Sequence, residues 1–265
     1  MCKVISVGIQ KGGVGKSTAS SIVAYHLKER GFRVLCVDMD GQGNFTQLLT
    51  GEDDLYEFRG STIYNALKDE NASSHILKID DKLHLVAGDE YINTLTPSFH
   101  KELKGNYHHV LSKALEPVKN EYDYIIVDTP PALGEISIIS LSASDYVLIM
   151  FETSKFCYNS LKSYLETINA VQSKVNPNLE ILGVLRNMID VRRTDNKYFS
   201  DKVKEEFGDL CFDSIIKRTA AVGRIPALGL SNNSEYRKVM KTYKNFLKEF
   251  DNRVIRRRTR KERKN

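Results

Sequence analysis

Residues Gln10 to Thr18 read Q-K-G-G-V-G-K-S-T and follow an apolar run from Val4 to Ile9. Three glycines, two lysines and adjacent hydroxyls at this spacing suit one task, the holding of a polyphosphate. Gly12, Gly13 and Gly15, with Val14 among them, let the backbone curl close to phosphate oxygens. A helix opening after the turn would direct its free N–H groups toward the same anion. Lys16 supplies a mobile positive charge and Ser17, followed by Thr18, a hydroxyl for Mg²⁺. Two acidic stretches lie downstream. Asp38 and Asp40 follow a short apolar run, and Asp128 ends Y-D-Y-I-I-V-D, where a carboxylate beside the glycine turn would hold Mg²⁺ through Ser17 and water.

Position 10, where the usual phosphate loop carries its first glycine, is Gln10, and an extra lysine, Lys11, stands at the mouth of the turn. Lys11 followed by Gly12-Gly13-Val14-Gly15-Lys16-Ser17 resembles the deviant Walker A motif of the ParA/MinD family of dimerising ATPases. Asp38-Met39-Asp40-Gly41-Gln42-Gly43-Asn44 is similar to the second signature of that family, D-x-D-P-Q-G-N, with glycine at 41 in place of proline. Asp128-Thr129-Pro130-Pro131 matches its Walker B strand and switch.

The resemblance implies an ATP-sandwiched homodimer in which Lys11 of one subunit reaches phosphates bound by the other, acting like an arginine finger. It assigns Asp38 to the water shell of the metal or to the switch region, and Asp40 to the attacking water. Gly41 removes a fixed φ and leaves the setting of Asp40 to the rest of its loop. Asn187, at the end of a later strand, is the expected contact to the base. Arg192, Arg193 and Arg218 fall where relatives carry DNA-facing arginines, although Lys217 replaces the proline of their I-P-R-N sequence. Slow hydrolysis, stimulated by a ParB-like centromere-binding partner, would release non-specifically bound DNA.

The elements that position these groups follow from periodicity. Apolar runs at Val4–Ile9, Arg33–Asp38, Leu83–Val86, Tyr122–Asp128, Asp145–Phe151, Leu179–Met188 and Phe212–Ile216 are too short for helices and read as buried strands. Helical spacing is found at Ala19–Arg30, Ser61–Lys68, Pro97–Lys119, Ser160–Val175 and Ser234–Phe250. The alternation predicts an α/β P-loop NTPase, a single doubly wound, mainly parallel sheet with helices on both faces. Residues 1–250 are expected to form that ATPase domain and 251–265 a basic, disordered tail.

Charge is concentrated in that tail. Of the formal +5, residues Arg253 to Asn265 alone hold eight Lys/Arg against Glu262, including Arg256, Arg257 and Arg258, so the preceding residues are slightly acidic. A basic tail fits phosphate contacts, and the partition reading has the dimer on DNA through Arg192, Arg193, Arg218 and these arginines. The alternative is a MinD-like positioning ATPase anchored by a C-terminal amphipathic helix. Val254 and Ile255 are the only large apolar residues after Phe250, too few for an anchor. No apolar run is long enough to span a bilayer and none resembles a signal peptide, so a cytoplasmic, nucleoid-associated protein is expected. Cys2, Cys36, Cys157 and Cys211 are scattered, which argues for free thiols and against a shared iron–sulfur cluster.

Overall fold

The computed structural model describes residues 2–95, 106–190, 192–228 and 234–262. Its strands are β1 (Lys3–Gly8), β2 (Val34–Asp38), β3 (Leu77–Lys78), β4 (Leu83–Val86), β5 (Tyr124–Asp128), β6 (Tyr146–Glu152), β7 (Glu180–Ile189) and β8 (Cys211–Lys217). They form one sheet in the order β3-β4-β2-β5-β1-β6-β7-β8, parallel throughout except for the β3–β4 pair. The helices are α1 (Lys16–Glu29), α2 (Asn44–Thr50), α3 (Ile63–Lys68), α4 (Val110–Leu115), α5 (Glu135–Ser142), α6 (Lys155–Lys174), α7 (Thr194–Phe207), α8 (Ala220–Leu228) and α9 (Ser234–Glu262).

Strands this apolar need cover on both faces, and alternate side chains serve two cores. Val34 and Cys36 of β2 pack in the cluster that holds Ile22 and Leu27 of α1 and Phe246 of α9. Leu35 and Val37 face the other way, among Ile63 of α3, Leu111 of α4 and Ile139 of α5. The doubly wound sheet is therefore as expected. From β1 the chain crosses to β2 and β4, returns to insert β5, and then proceeds through β6 to the opposite edge. The loop after β1 opens at this reversal, where a crevice forms at the carboxyl ends of the strands.

Strand ends differ from expectation by a residue or two. The unexpected elements are short β3 and the helices α2, α5, α7 and α8. Gly43, Gly134 and Arg193 precede three of these helices and none makes a side-chain cap. Such helices carry no start signal and are held by what they pack against. Of the helix expected at Pro97–Lys119, the first part lies outside the described residues and the remainder is a 3₁₀ turn followed by α4.

The expected disordered tail is corrected by α9, which continues past Phe250 to Glu262. Val254 is buried. Arg253 donates to the carbonyl oxygens of Leu182, Leu210 and Cys211 at 3.1, 3.2 and 2.7 Å, and its guanidinium lies 4.1 Å from the centre of the Phe212 ring. Arg257 donates to Glu180 at 3.1 Å. Backbone acceptors and a ring face, rather than solvent, take up the first part of the basic segment.

The end of β1 is closely packed. Tyr164 of α6 is buried with its hydroxyl over Gly8, where a Cβ would overlap it and would also lie 2.8 Å from Thr129 Oγ1. Gly8→Ala is expected to cost about 1–3 kcal/mol in denaturant unfolding, as overpacking does. Tyr164→Phe in the same chain should recover part of that loss, and a Gly8→Ala protein as stable as its parent would refute this packing.

Candidate nucleotide site

The glycine turn has the geometry that its sequence implies. Gly13 and Gly15 are left-handed, with φ of 74° and 79°, and α1 begins at Lys16. Gly15 is doubly constrained, because a Cβ there would lie 2.8 Å from Asn187 Nδ2. Lys16 donates from Nζ to the carbonyl oxygen of Lys11 at 2.9 Å. Burial lowers its pKa, and the charges of Asp128 and Asp40 oppose that shift. Ser17 Oγ donates to Asp128 Oδ2 at 2.6 Å, and Ser20, one turn along α1, donates to Oδ1 at 2.7 Å. A cavity of about 480 Å³ is lined by Gly12, Gly13, Gly15, Lys16, Ser17 and Thr18 on one side and by Asp40, Pro131, Asn187 and Met188 on the other.

Asp38 and Asp128 occupy paired positions on β2 and β5, and neither is exposed. Asp38, expected at the water shell of a metal or in the switch region, is turned into its own loop. Its Oδ1 accepts from Asp40 N at 3.1 Å, and its Oδ2 accepts from Thr46 N and Thr46 Oγ1, both at 2.8 Å. Three local donors claim this carboxylate. Asp40 lies at the cavity, 8% exposed, with Oδ1 accepting from Gln42 N at 3.1 Å. Burial raises the pKa of its carboxyl, opposed by the Gln42 hydrogen bond and the Lys16 charge. Gly41 leaves room for this turn against the carbonyl oxygens of Asp89 and Glu90.

Lys11 makes a contact that the sequence did not suggest. Its Nζ donates to Glu152 Oε2 at 2.8 Å and to Ser154 Oγ at 3.0 Å, and Ser154 Oγ donates to the same carboxylate oxygen at 2.7 Å. Burial pushes the Glu152 carboxyl up, but the hydrogen bonds from Lys11 and Ser154 and the Lys11 charge outweigh it, leaving the group below its ordinary value. Glu152 lies at the end of β6, and nothing in its local sequence marked it.

At the far end of the cavity, Asn187 is fully buried and its Nδ2 donates to the Val14 carbonyl at 2.8 Å. That carbonyl can only accept, which fixes the amide orientation and leaves Oδ1 facing inward without a hydrogen-bond partner among the described residues. Met188 follows at a left-handed φ of 57°, where the β7–β8 register shifts, and Tyr243 of α9 completes the wall. Backbone strain of this kind collects at functional sites.

Of the six arginines expected on DNA, the five whose side chains are described fall into two groups. Arg192 and Arg193 are exposed beyond the end of β7 and pair with Asp190 and Asp195 at 2.8 and 2.6 Å. Arg218 is exposed at the end of neighbouring β8, with its N–H bonded to Ile189 O at 3.0 Å. Arg257 is tied to Glu180 at the start of β7, with exposed Arg256 beside it. A ten-residue strand separates the two groups by about 30 Å. The side chain of Arg258 lies outside the described residues.

The site fits a nucleoside triphosphate with magnesium. Gly13 and Gly15 hold the left-handed turn of a phosphate cradle, Ser17 and Asp128 offer the hard oxygen donors that Mg²⁺ takes, and Lys16 adds a positive charge at the cavity.

A family described as an AAA domain matches residues 2–181. Among curated relatives, the sporulation initiation inhibitor protein Soj of Bacillus subtilis is 35% identical over 237 residues, 86% of this chain and 89% of that protein. The chromosome partitioning protein ParA of Myxococcus xanthus is 31% identical over 227 residues, 86% of this chain and 79% of that protein. A Borrelia burgdorferi plasmid partition protein bound to AMPPNP superposes with a TM-score of 0.75 at 27% identity, covering 94% of this chain and 98% of that one. Cobyrinic acid a,c-diamide synthase from Mycobacterium smegmatis, with an ATP analogue and magnesium, gives a TM-score of 0.76 at 27% identity, covering 85% and 91%.

Burial pushes the Asp38 carboxyl up to about 8, with repulsion from Asp128 adding to it, and pushes Asp128 up to about 6 against the Ser17 and Ser20 hydroxyls. Unfolded, each would ionise near pH 4. The folded chain thus keeps protons that the unfolded chain has lost, so the pair costs stability progressively as pH rises from about 4 to about 8. In nucleotide-free protein, Asp128→Asn should gain melting temperature over its parent at pH 8 relative to pH 4. A difference that does not vary with pH would contradict this assignment.

Proposed function

The chain belongs to the ParA and Soj family of partition ATPases, and from that membership we propose that it hydrolyses ATP as a homodimer that partitions DNA. The observation that carries the reading is the convergence on one cavity of the glycine cradle, Lys16, the Ser17–Asp128 pair and Asp40. The nucleotide-bound relatives support it.

Backbone N–H groups of the turn and Lys16 bind the phosphates, and Ser17 and Asp128 would hold Mg²⁺, which when bound neutralises charge on them. Asn187 accepts a hydrogen bond from the exocyclic amine of adenine. Asp40 orients the attacking water. Lys11 lies at the rim in an ion pair that it must leave to reach the phosphates of a second subunit. No further unpaired base lines the cavity among the described residues, consistent with slow turnover that a ParB-like partner accelerates. Hydrolysis then acts as a timer for release from DNA in the cytoplasm, where the ATP dimer associates with the nucleoid.

Non-specific DNA binding rests on phosphate contacts from exposed arginines, Arg192, Arg193 and Arg218 at one end of β7 and Arg256 at the other. The MinD-like alternative loses support because Val254, one of the two large apolar residues an anchor would use, is packed inside.

Lys16→Ala should abolish ATP binding, whereas Lys11→Ala should bind ATP yet remain a monomer in analytical ultracentrifugation with AMPPNP. A Lys11→Ala dimer would count against the shared site. With ATP present, the parent should co-sediment with DNA and should stay in the supernatant when liposomes are pelleted. Arg218→Glu and Arg256→Glu separate the two ends of β7; the end that binds should lose affinity and about one unit of salt slope per phosphate contact. Parent-like binding by both variants would exclude the two ends as the DNA surface.

A further inference from the structure

The loop that carries Asp40 lacks the fixed φ that a proline at 41 would provide, and yet it is held by a continuous chain of buried hydrogen bonds. Gly88 N donates to Thr46 Oγ1 at 2.8 Å, Thr46 Oγ1 donates to Asp38 Oδ2 at 2.8 Å, and Asp38 Oδ1 accepts from Asp40 N at 3.1 Å. One hydroxyl thereby both accepts and donates. Thr46 has no exposure and does not line the nucleotide cavity.

Both ends of this chain are fixed. Beside Gly88, Ala87 O accepts from Ile63 N at 2.8 Å and Asp89 Oδ2 accepts from Thr62 Oγ1 at 2.5 Å, tying the segment after β4 to the start of α3. At the other end, Gly43 N donates to Asp40 O at 3.0 Å and closes the turn. The packing allows no slack, since a Cβ on Gly88 would lie 3.0 Å from Asp38 Oδ2 and 3.1 Å from Asp40 O.

We propose that Thr46 is a positioning residue for hydrolysis: held by Gly88, its hydroxyl fixes Asp38, and Asp38 fixes the backbone from which the Asp40 carboxylate reaches the cavity. The inference rests on the reading of Asp40 as the residue that orients water. It also gives Asp38 a task that uses all the donors around it, namely holding the loop.

Thr46→Val removes the hydroxyl at nearly constant shape. The folded variant should lose about tenfold or more in kcat, as small misplacements of reacting groups do, while keeping its affinity for AMPPNP within about twofold. Thr46→Ser should return kcat to within about twofold of the parent, because it restores both hydrogen bonds. Gly88→Ala presses on Asp38 and Asp40 from the opposite side and should lower kcat with the Thr46 hydroxyl intact, so it decides the matter should Thr46→Val fail to fold. Parent-like turnover in folded Thr46→Val or Gly88→Ala overturns the proposal, as does a Thr46→Ser protein as slow as Thr46→Val, which would make the methyl the important group. Asp40→Ala separates the two levels. If it turns over normally, the reading of Asp40 fails; if it is inactive while Thr46→Val is normal, the positioning inference fails alone.

Discussion

Two carboxylates without solvent access, Asp38 and Asp128, face each other at paired positions on adjacent parallel strands. Burying a charge is costly unless donors surround it, and repulsion between the two adds to that cost. Each one recruits donors from the segment that follows a different strand. Asp128 takes the hydroxyls of Ser17 and Ser20 and so draws the first turn of α1 onto β5, and Asp38 takes the donors of Thr46 and Asp40 and so draws the next loop onto β2. The relative placement of phosphate turn, metal ligands and Asp40 follows from satisfying this pair.

The same accounting explains the lysines. Lys16 feels the charges of Asp128 and Asp40 beside the glycine turn, and Lys11 is held by the end of β6 through Glu152 and Ser154. The two cations of one loop are thus in different situations. Lys16 is buried beside its own loop, and Lys11 is held in an ion pair only partly shielded from water, where such a pair contributes modestly.

Distribution of charge along the chain proved a poor guide to its distribution in space. The basic segment after Phe250 continues a helix because Arg253 and Arg257 find carbonyl oxygens and a glutamate at the starts of β7 and β8. Arg192, Arg193 and Arg218 come together with the phosphate turn at the carboxyl ends of the strands, where adjacent strands β7 and β8 place them. Any surface that uses both groups must extend along the full length of β7.

The glycine turn, the buried strands, the doubly wound sheet and the nearness of Asp128 to Lys16 and Ser17 were legible in the sequence. These depend on local requirements: backbone freedom at Gly13 and Gly15, apolar runs that need cover on both faces, and a carboxylate at a strand end. The helices α2, α5 and α7 were not legible, since no side chain caps them and only packing holds them. Nor was the inward turn of Asp38, the tie between Lys11 and Glu152, or the place of Thr46. The partners in those contacts lie up to 141 residues apart, and their meeting depends on strand order and register. Local chemistry determined what kind of site this chain builds; tertiary structure decided which carboxylate faces which donor, because buried charges take the partners that the folded sheet brings within reach.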